Sequence, residues 1–144
     1  MLLAIDVGNT NIVVGGYRGA ERVVTGRFEA NRSATPESLW EDIVPLLSSS
    51  GIPHTEITEV AIASVVPPLE AALQQCCEQF LALSPFFVRS EIECGIRLHY
   101  SPPASLGVDR LCNVVGCIEK YGAPAIVIDF GTATKLEAIA ENGD

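Results

Sequence analysis

The chain has 144 residues, room for one domain or a domain and part of a second, and it is long enough to bury a real core. Hydrophobic residues make up 48% and charged residues 19%, a globular balance. The 18 acidic and 9 basic side chains leave a net charge of −9, which argues against non-specific nucleic-acid binding, so a polyphosphate ligand would need local donors or metal ions.

From the N-terminus, Leu2, Leu3, Ala4 and Ile5 read as a buried strand running into Asp6-Val7-Gly8-Asn9-Thr10-Asn11. This apolar run has no basic flank and is broken at Asp6, so no signal peptide is expected, and no stretch approaches the roughly 18 apolar residues of a membrane span. Ile12 to Tyr17 predicts a second strand, Arg18-Gly19-Ala20 a turn and Glu21 to Phe28 a third strand, together an antiparallel meander. Glu29 to Thr35 is polar and loop-like. Thr35 then serves as N-cap, with Pro36 at the first helical position and Glu37 at the positive end of the dipole. Leu39, Ile43, Leu46 and Leu47 recur at helical spacing, while Pro45 predicts a kink or an early stop. Trp40 is expected to belong to the core.

Val60 to Val66 predicts a buried strand ending at Pro67-Pro68. A helix follows from Leu69 to about Leu83, with Leu69, Leu73, Cys76, Phe80 and Leu83 on its apolar face, and then a short strand at Phe86-Phe87-Val88. An α/β alternation after a meander predicts an α/β sheet of mixed direction. Glu91 to Pro103 is a long connection of the kind that often carries function. Ser105 to Lys120 predicts a helix, closed by Gly122-Ala123-Pro124. Ala125 to Ile128 is a further apolar strand, Lys135 to Ala140 its return partner, and Asn142-Gly143 a turn signal.

That last strand runs into Asp129-Phe130-Gly131-Thr132-Ala133-Thr134, the same pattern as the first loop: Asp, an apolar residue, Gly, then small hydrogen-bonding residues. Glycine permits a positive φ and lets backbone N–H groups come close to a phosphate, with Asn and Thr side chains adding donors. An Asp at the strand end is placed to hold a cation through water. One such loop reads most simply as a Gly-containing hairpin; two, 129 − 6 = 123 residues apart, point to two jaws on one polyphosphate. Neither G-x-x-x-x-G-K-[ST] nor a strand-linked G-x-G-x-x-G occurs, which excludes a P-loop and a dinucleotide fingerprint.

The five cysteines, Cys76, Cys77, Cys94, Cys112 and Cys117, form no C-x-x-C, and neither His54 nor His99 stands at ligand spacing, so zinc is not expected. Cys76, Cys77, Cys112 and Cys117 fall on apolar helical stretches and are expected to be buried thiols of a reduced, cytosolic protein. Asp109, in Gly107-Val108-Asp109-Arg110 at a helix start, either complements the helix dipole or serves as a general base for an attacking hydroxyl. Arg110 beside it is either a solvated charge or a fork for a carboxylate or phosphate.

Taken together these motifs resemble the type III pantothenate kinases of the actin-like, sugar-kinase and Hsp70-type ATPase superfamily. The match rests on Asp6 to Asn11, on Ser64-Val65-Val66-Pro67, on Tyr100-Ser101-Pro102 leading to Leu106-Gly107-Val108-Asp109-Arg110, and on Asp129 to Thr134. The resemblance implies an actin-like (ribonuclease H-like) fold and ATP-dependent phosphorylation of pantothenate in the cytoplasm, the first step towards coenzyme A, with Mg²⁺ and a monovalent cation, K⁺ or NH₄⁺. By position it implies that Asp6, Val7, Gly8, Asn9, Thr10, Asn11, Ile12 and Val13 hold ATP phosphates, Asp6 near Mg²⁺, and that Thr132 contacts ATP. Tyr100, Gly107, Val108 and Arg110 would contact pantothenate, Asp109 would be the base and Asp129 the monovalent-cation ligand. Glu137 stands where the family commonly has Asp.

The resemblance further implies a first domain over 1–118, a second starting at 119–144, and another domain's worth of chain beyond Asp144, so the sequence is expected to be truncated within the second domain. A homodimer is implied for the complete protein, with no nucleic-acid or membrane partner. Two other readings are a non-catalytic relative acting as a transcriptional accessory and a kinase for another hydroxyl acceptor. The incomplete second sheet is expected to leave Ile126, Ile128, Leu136 and Ile139 exposed.

Overall fold

The structure, a computed structural model, describes residues 1–102 and 105–144; Pro103, the last residue of the expected long connection, lies outside them. The chain forms two compact units, Met1–Phe87 and Val88–Asp144.

In the first unit, strands β1 (Leu2–Val7), β2 (Asn11–Arg18) and β3 (Glu21–Glu29) make the expected meander. Helix α1 (Pro36–Ser49), strand β4 (Glu59–Ser64), helix α2 (Pro67–Leu81) and strand β5 (Phe86–Phe87) complete a five-stranded sheet in the order β3-β2-β1-β4-β5. β1 is antiparallel to β2 and parallel to β4, so the sheet changes direction at its middle strand. The alternation of β1 and β2 turns Leu3, Ile5, Val7, Ile12 and Val14 into the core, where they meet Leu39, Ile43 and Leu47 of α1 and Leu69, Leu73 and Cys76 of α2.

Local chemistry sets the helix ends. Thr35 and Ser38 form a reciprocal capping box at the start of α1. Pro45 neither stops nor shortens this helix, which continues to Ser49. Leu39, Ile43 and Leu47 stay buried on both sides of the proline, and its ring faces solvent, so packing outweighs the missing backbone bond. Helix α2 begins at Pro67 rather than Leu69, since Pro67 and Pro68 open it where absent N–H groups cost nothing, and β4 ends at Ser64 rather than Val66. Gly26 lets α1 approach the sheet closely, since a Cβ there would lie 2.4 Å from the Leu46 side chain unless that side chain moved. Trp40 is half-buried and stacks on Phe80 of α2 at 5.1 Å.

The second unit holds helix α3 (Val108–Tyr121) and the hairpin of β6 (Ala125–Phe130) with β7 (Thr134–Ile139). α3 starts three residues later than the composition predicts, with Gly107 as a cap that lacks a side-chain bond, so Asp109 falls in the first turn. Val108, Leu111 and Val114 form its buried stripe. Alternation along the hairpin sends Ile126, Ile128, Phe130 and Leu136 to an exposed face. Ile139, expected on that face, is instead buried, because it shares parity with Glu137 and not with Leu136. Only Cys76 and Cys77 of the four helical cysteines are buried; Cys117 is half-buried and Cys112 exposed, on the solvent side of α3. No helix among the described residues is long and apolar enough to cross a membrane.

Candidate active site

The first loop joins β1 to β2 as a tight hairpin in which the Gly8 N–H donates to the Asn11 carbonyl at 2.9 Å. Neither Gly8 nor Gly131 adopts the positive φ expected of it. What Gly8 supplies is room, because a Cβ would lie 3.2 Å from the Asn11 carbonyl oxygen. The next motif in the chain adjoins this loop: the Val65 N–H donates to the Val7 carbonyl, and the buried Ser64 hydroxyl accepts from the Val66 N–H that leads into α2.

Arg32 is a residue that sequence reasoning missed here. Its guanidinium donates to Asn9 Oδ1 at 3.1 Å, while the Ala30 N–H donates to the Thr10 carbonyl at 2.9 Å. Thus the chain leaving β3 returns a cation to the loop of an acidic protein. No local pattern marks Arg32; only the β2–β3 pairing brings it 23 residues back.

Within the second unit, Tyr100, Asp109, Arg110 and Asp129 are drawn into one charged cluster. The first turn of α3 presents Asp109 and Arg110, and Asp109 Oδ1 accepts from the Arg110 N–H at 2.9 Å. The second face of the hairpin supplies Asp129, Lys135 and Glu137, with Asp129 directly opposite Lys135 across the ladder. Lys135 Nζ donates to Asp109 Oδ2 and lies 3.9 Å from Asp129 Oδ2. The Arg110 Nε donates to Glu137 Oε1, its Nη2 donates to the Leu136 carbonyl at 3.2 Å, and its guanidinium lies 5.4 Å from the centre of the Tyr100 ring.

Arg110 is therefore only partly solvated, and it is engaged by Glu137 and the Leu136 carbonyl. The Glu137 carboxylate holds its pKa above the ordinary guanidinium value, and Asp109 does the same for the Lys135 ammonium. The Glu137 side chain is only 6% exposed, and its Oε2 has no hydrogen-bond partner among the described residues. Tyr100, Arg110 and Glu137 line a cavity of about 460 Å³, together with Leu106, Val114 and Leu136. Gly107 and Val108 enter the cluster only as the backbone that starts α3, and Thr132 stands exposed in the β6–β7 turn.

Lys135 and Glu137 had no place among the expected site residues. Their i, i+2 spacing on a strand was the available signal, since it puts both on the face of Asp129.

The two expected metal positions differ in fit. Asp6 lies near the end of β1, and the first loop that follows carries the hard oxygen donors Thr10 and Asn11, the donor type that suits Mg²⁺ held through water. At Asp129 the donors do not fit a monovalent cation. The Lys135 ammonium already stands beside the carboxylate, and a second unit charge about 4 Å from it meets repulsion of about 4 kcal/mol at an effective dielectric of 20.

A five-stranded sheet of this order and direction, with helices in the β3–β4 and β4–β5 connections, defines an actin-like ATPase fold of the ribonuclease H type. The chain superimposes on YeaZ from Pseudomonas aeruginosa with a TM-score of 0.51 at 10% identity, covering 98% of this chain and 60% of that one. The family model for type III pantothenate kinase matches residues 2–144, so the chain belongs to that family. Relatives described as type III pantothenate kinase include those of Thermomicrobium roseum, 38% identical over 99% of this chain and 55% of the relative, and Geobacillus kaustophilus, 40% identical over 99% and 55%. The Myxococcus xanthus relative is 35% identical over 100% of this chain and 56% of its own length. The chain thus spans a little over half the length of the curated relatives it matches.

Proposed function

We propose that this chain carries the acceptor-activating part of an enzyme that phosphorylates pantothenate with ATP, as the names of its relatives indicate. The observation that carries the proposal is the position of Asp109. Its carboxylate is held at both oxygens, by the Arg110 N–H and by Lys135, in the cluster that includes Arg110 and Tyr100. A carboxylate oxygen with one donor still has a lone pair for a substrate hydroxyl.

In the proposed reaction the primary hydroxyl of pantothenate donates its proton to Asp109 as its oxygen bonds to the γ-phosphorus, while the bond from that phosphorus to the bridging oxygen of ADP breaks. Tyr100, Gly107, Val108 and Arg110 position the acceptor. Asp6, Val7, Gly8, Asn9, Thr10, Asn11, Ile12 and Val13 cradle the ATP phosphates, joined by Arg32, and Thr132 contacts the nucleotide from the second loop. Mg²⁺, bound through water at Asp6, would offset phosphate charge there. The domain division 1–118 and 119–144, a homodimer of the complete protein and a cytoplasmic location belong to the same reading.

The test compares this 144-residue chain with a version extended to the length of its relatives, each assayed for ATP- and pantothenate-dependent product. The extended chain is expected to turn over, and Asp109→Asn in it to lose at least about a hundredfold in kcat. Turnover in neither chain, or an unchanged Asp109→Asn variant, overturns the proposal. Product analysis across other hydroxyl acceptors decides the acceptor.

A further inference from the structure

We infer that the Lys135 ammonium is a tethered cation that takes the place of a free monovalent ion between Asp109 and Asp129. The inference deepens the kinase reading and rests on it for the role of Asp109. Lys135 is a positioning residue in this account. It holds Asp109 Oδ2 and balances the Asp129 charge without touching the reacting atoms.

Three observations carry it. The hairpin register sets Lys135 opposite Asp129 as a cross-strand pair, so their proximity is built into the backbone. From that position the side chain reaches out of the hairpin to Asp109 in the first turn of α3, 26 residues earlier. Arg110 is engaged by Glu137, so Lys135 is the remaining cation of the cluster and stands beside both Asp109 and Asp129. Without Lys135, two carboxylates would face each other with no cation of the cluster left for them, and a soluble monovalent cation would be the natural replacement. With it, a free ion at Asp129 would have to compete with an ammonium already 3.9 Å from that carboxylate. An oxygen-lined cation site and a lysine bridge are alternative solutions to the same electrostatic problem, and this chain has the lysine.

The experiment uses the chain's unusual lysine content, since Lys120 and Lys135 are its only two lysines. In protein labelled with ¹³C-lysine, the two ε-methylene signals are assigned with Lys120→Arg. At constant ionic strength, replacing choline chloride by KCl is expected to leave the Lys135 signal unmoved, whereas Asp109→Asn moves it in choline alone. A Lys135 signal that shifts saturably with K⁺, or that coincides with that of Lys120 in choline, overturns the inference.

In a second arm, thallous ion serves as the K⁺ probe, read by ²⁰⁵Tl resonance. Lys135→Met is expected to bind it at least about tenfold more tightly than the parent chain, and Lys135→Met with Asp129→Asn to lose that gain. Equal binding by the parent and Lys135→Met, or binding by neither, overturns the inference. Should Lys135→Met not fold, the lysine signals of the parent chain decide alone. Neither arm needs turnover, so failure here is separable from failure of the kinase reading.

Discussion

Glu137 is the most constrained charge in the second unit. It is buried, bound to Arg110 through one oxygen and unpartnered among the described residues at the other. Removing one member of such a pair leaves an uncompensated buried charge. Arg110→Ala is therefore expected to destabilise the chain by about 3 kcal/mol in urea unfolding, and Arg110→Met with Glu137→Met to recover most of that loss. Equal losses in the single and double variants would show that the pair is not coupled.

The cysteines give a second prediction at this scale. Burial pushes Cys76 up to about 12 and Cys77 up to about 11, from an ordinary value near 9. The folded state thus holds these protons more tightly than the unfolded chain. The stability they contribute is fully present below about pH 9 and is lost as pH rises towards 11 and 12. Lys135 and Arg110, also raised, act in the same direction at alkaline pH. The urea midpoint should accordingly fall between pH 9 and 11. At about pH 8, iodoacetamide should reach Cys112 well before Cys76 and Cys77, as read by mass spectrometry.

Among the elements, α1 shows where a local rule yields to packing. A proline inside a helix removes one backbone bond and crowds the preceding turn, yet Ile43 and Leu47 remain buried on either side of Pro45. Because the ring is exposed, Pro45→Ala removes the penalty without opening a cavity, and it should raise stability by roughly 1–3 kcal/mol. A loss of stability would mean that the proline's restriction of the unfolded chain outweighs the missing backbone bond. The strand periods, the caps at Thr35 and Pro36 and the two Asp-x-Gly loops were all legible in the residues, since each depends on neighbours within a few positions. The start of α3 was less so. Ser105 and Leu106 suit a helix as well as Val108 does, and the backbone preference there is too weak to set the boundary.

For the molecule as a whole, the hairpin face bearing Ile126, Phe130 and Leu136 is 70%, 81% and 61% exposed at those residues. Such a face is costly to leave in water, and the chain spans just over half the length of its relatives. Static light scattering is expected to show species heavier than the 15.3 kDa monomer, and Ile126→Lys with Leu136→Lys to shift them towards it. A monodisperse parent monomer would refute this.

The sequence by itself determined the mixed α/β class, the two loops, the position of Asp109 and three of the four exposed apolar residues, because these follow from periodicity and from motifs read along the chain. Only the tertiary structure decided that Arg32 returns to the first loop, that Arg110 is engaged by Glu137, and that Lys135 stands between Asp109 and Asp129. Each of these contacts joins residues more than 20 positions apart, except for Lys135 and Asp129, which the hairpin turn brings face to face. Their partners are selected by strand register and helix packing; the i, i+2 spacing of Lys135 and Glu137 marks their shared face but not the residues they meet on α3.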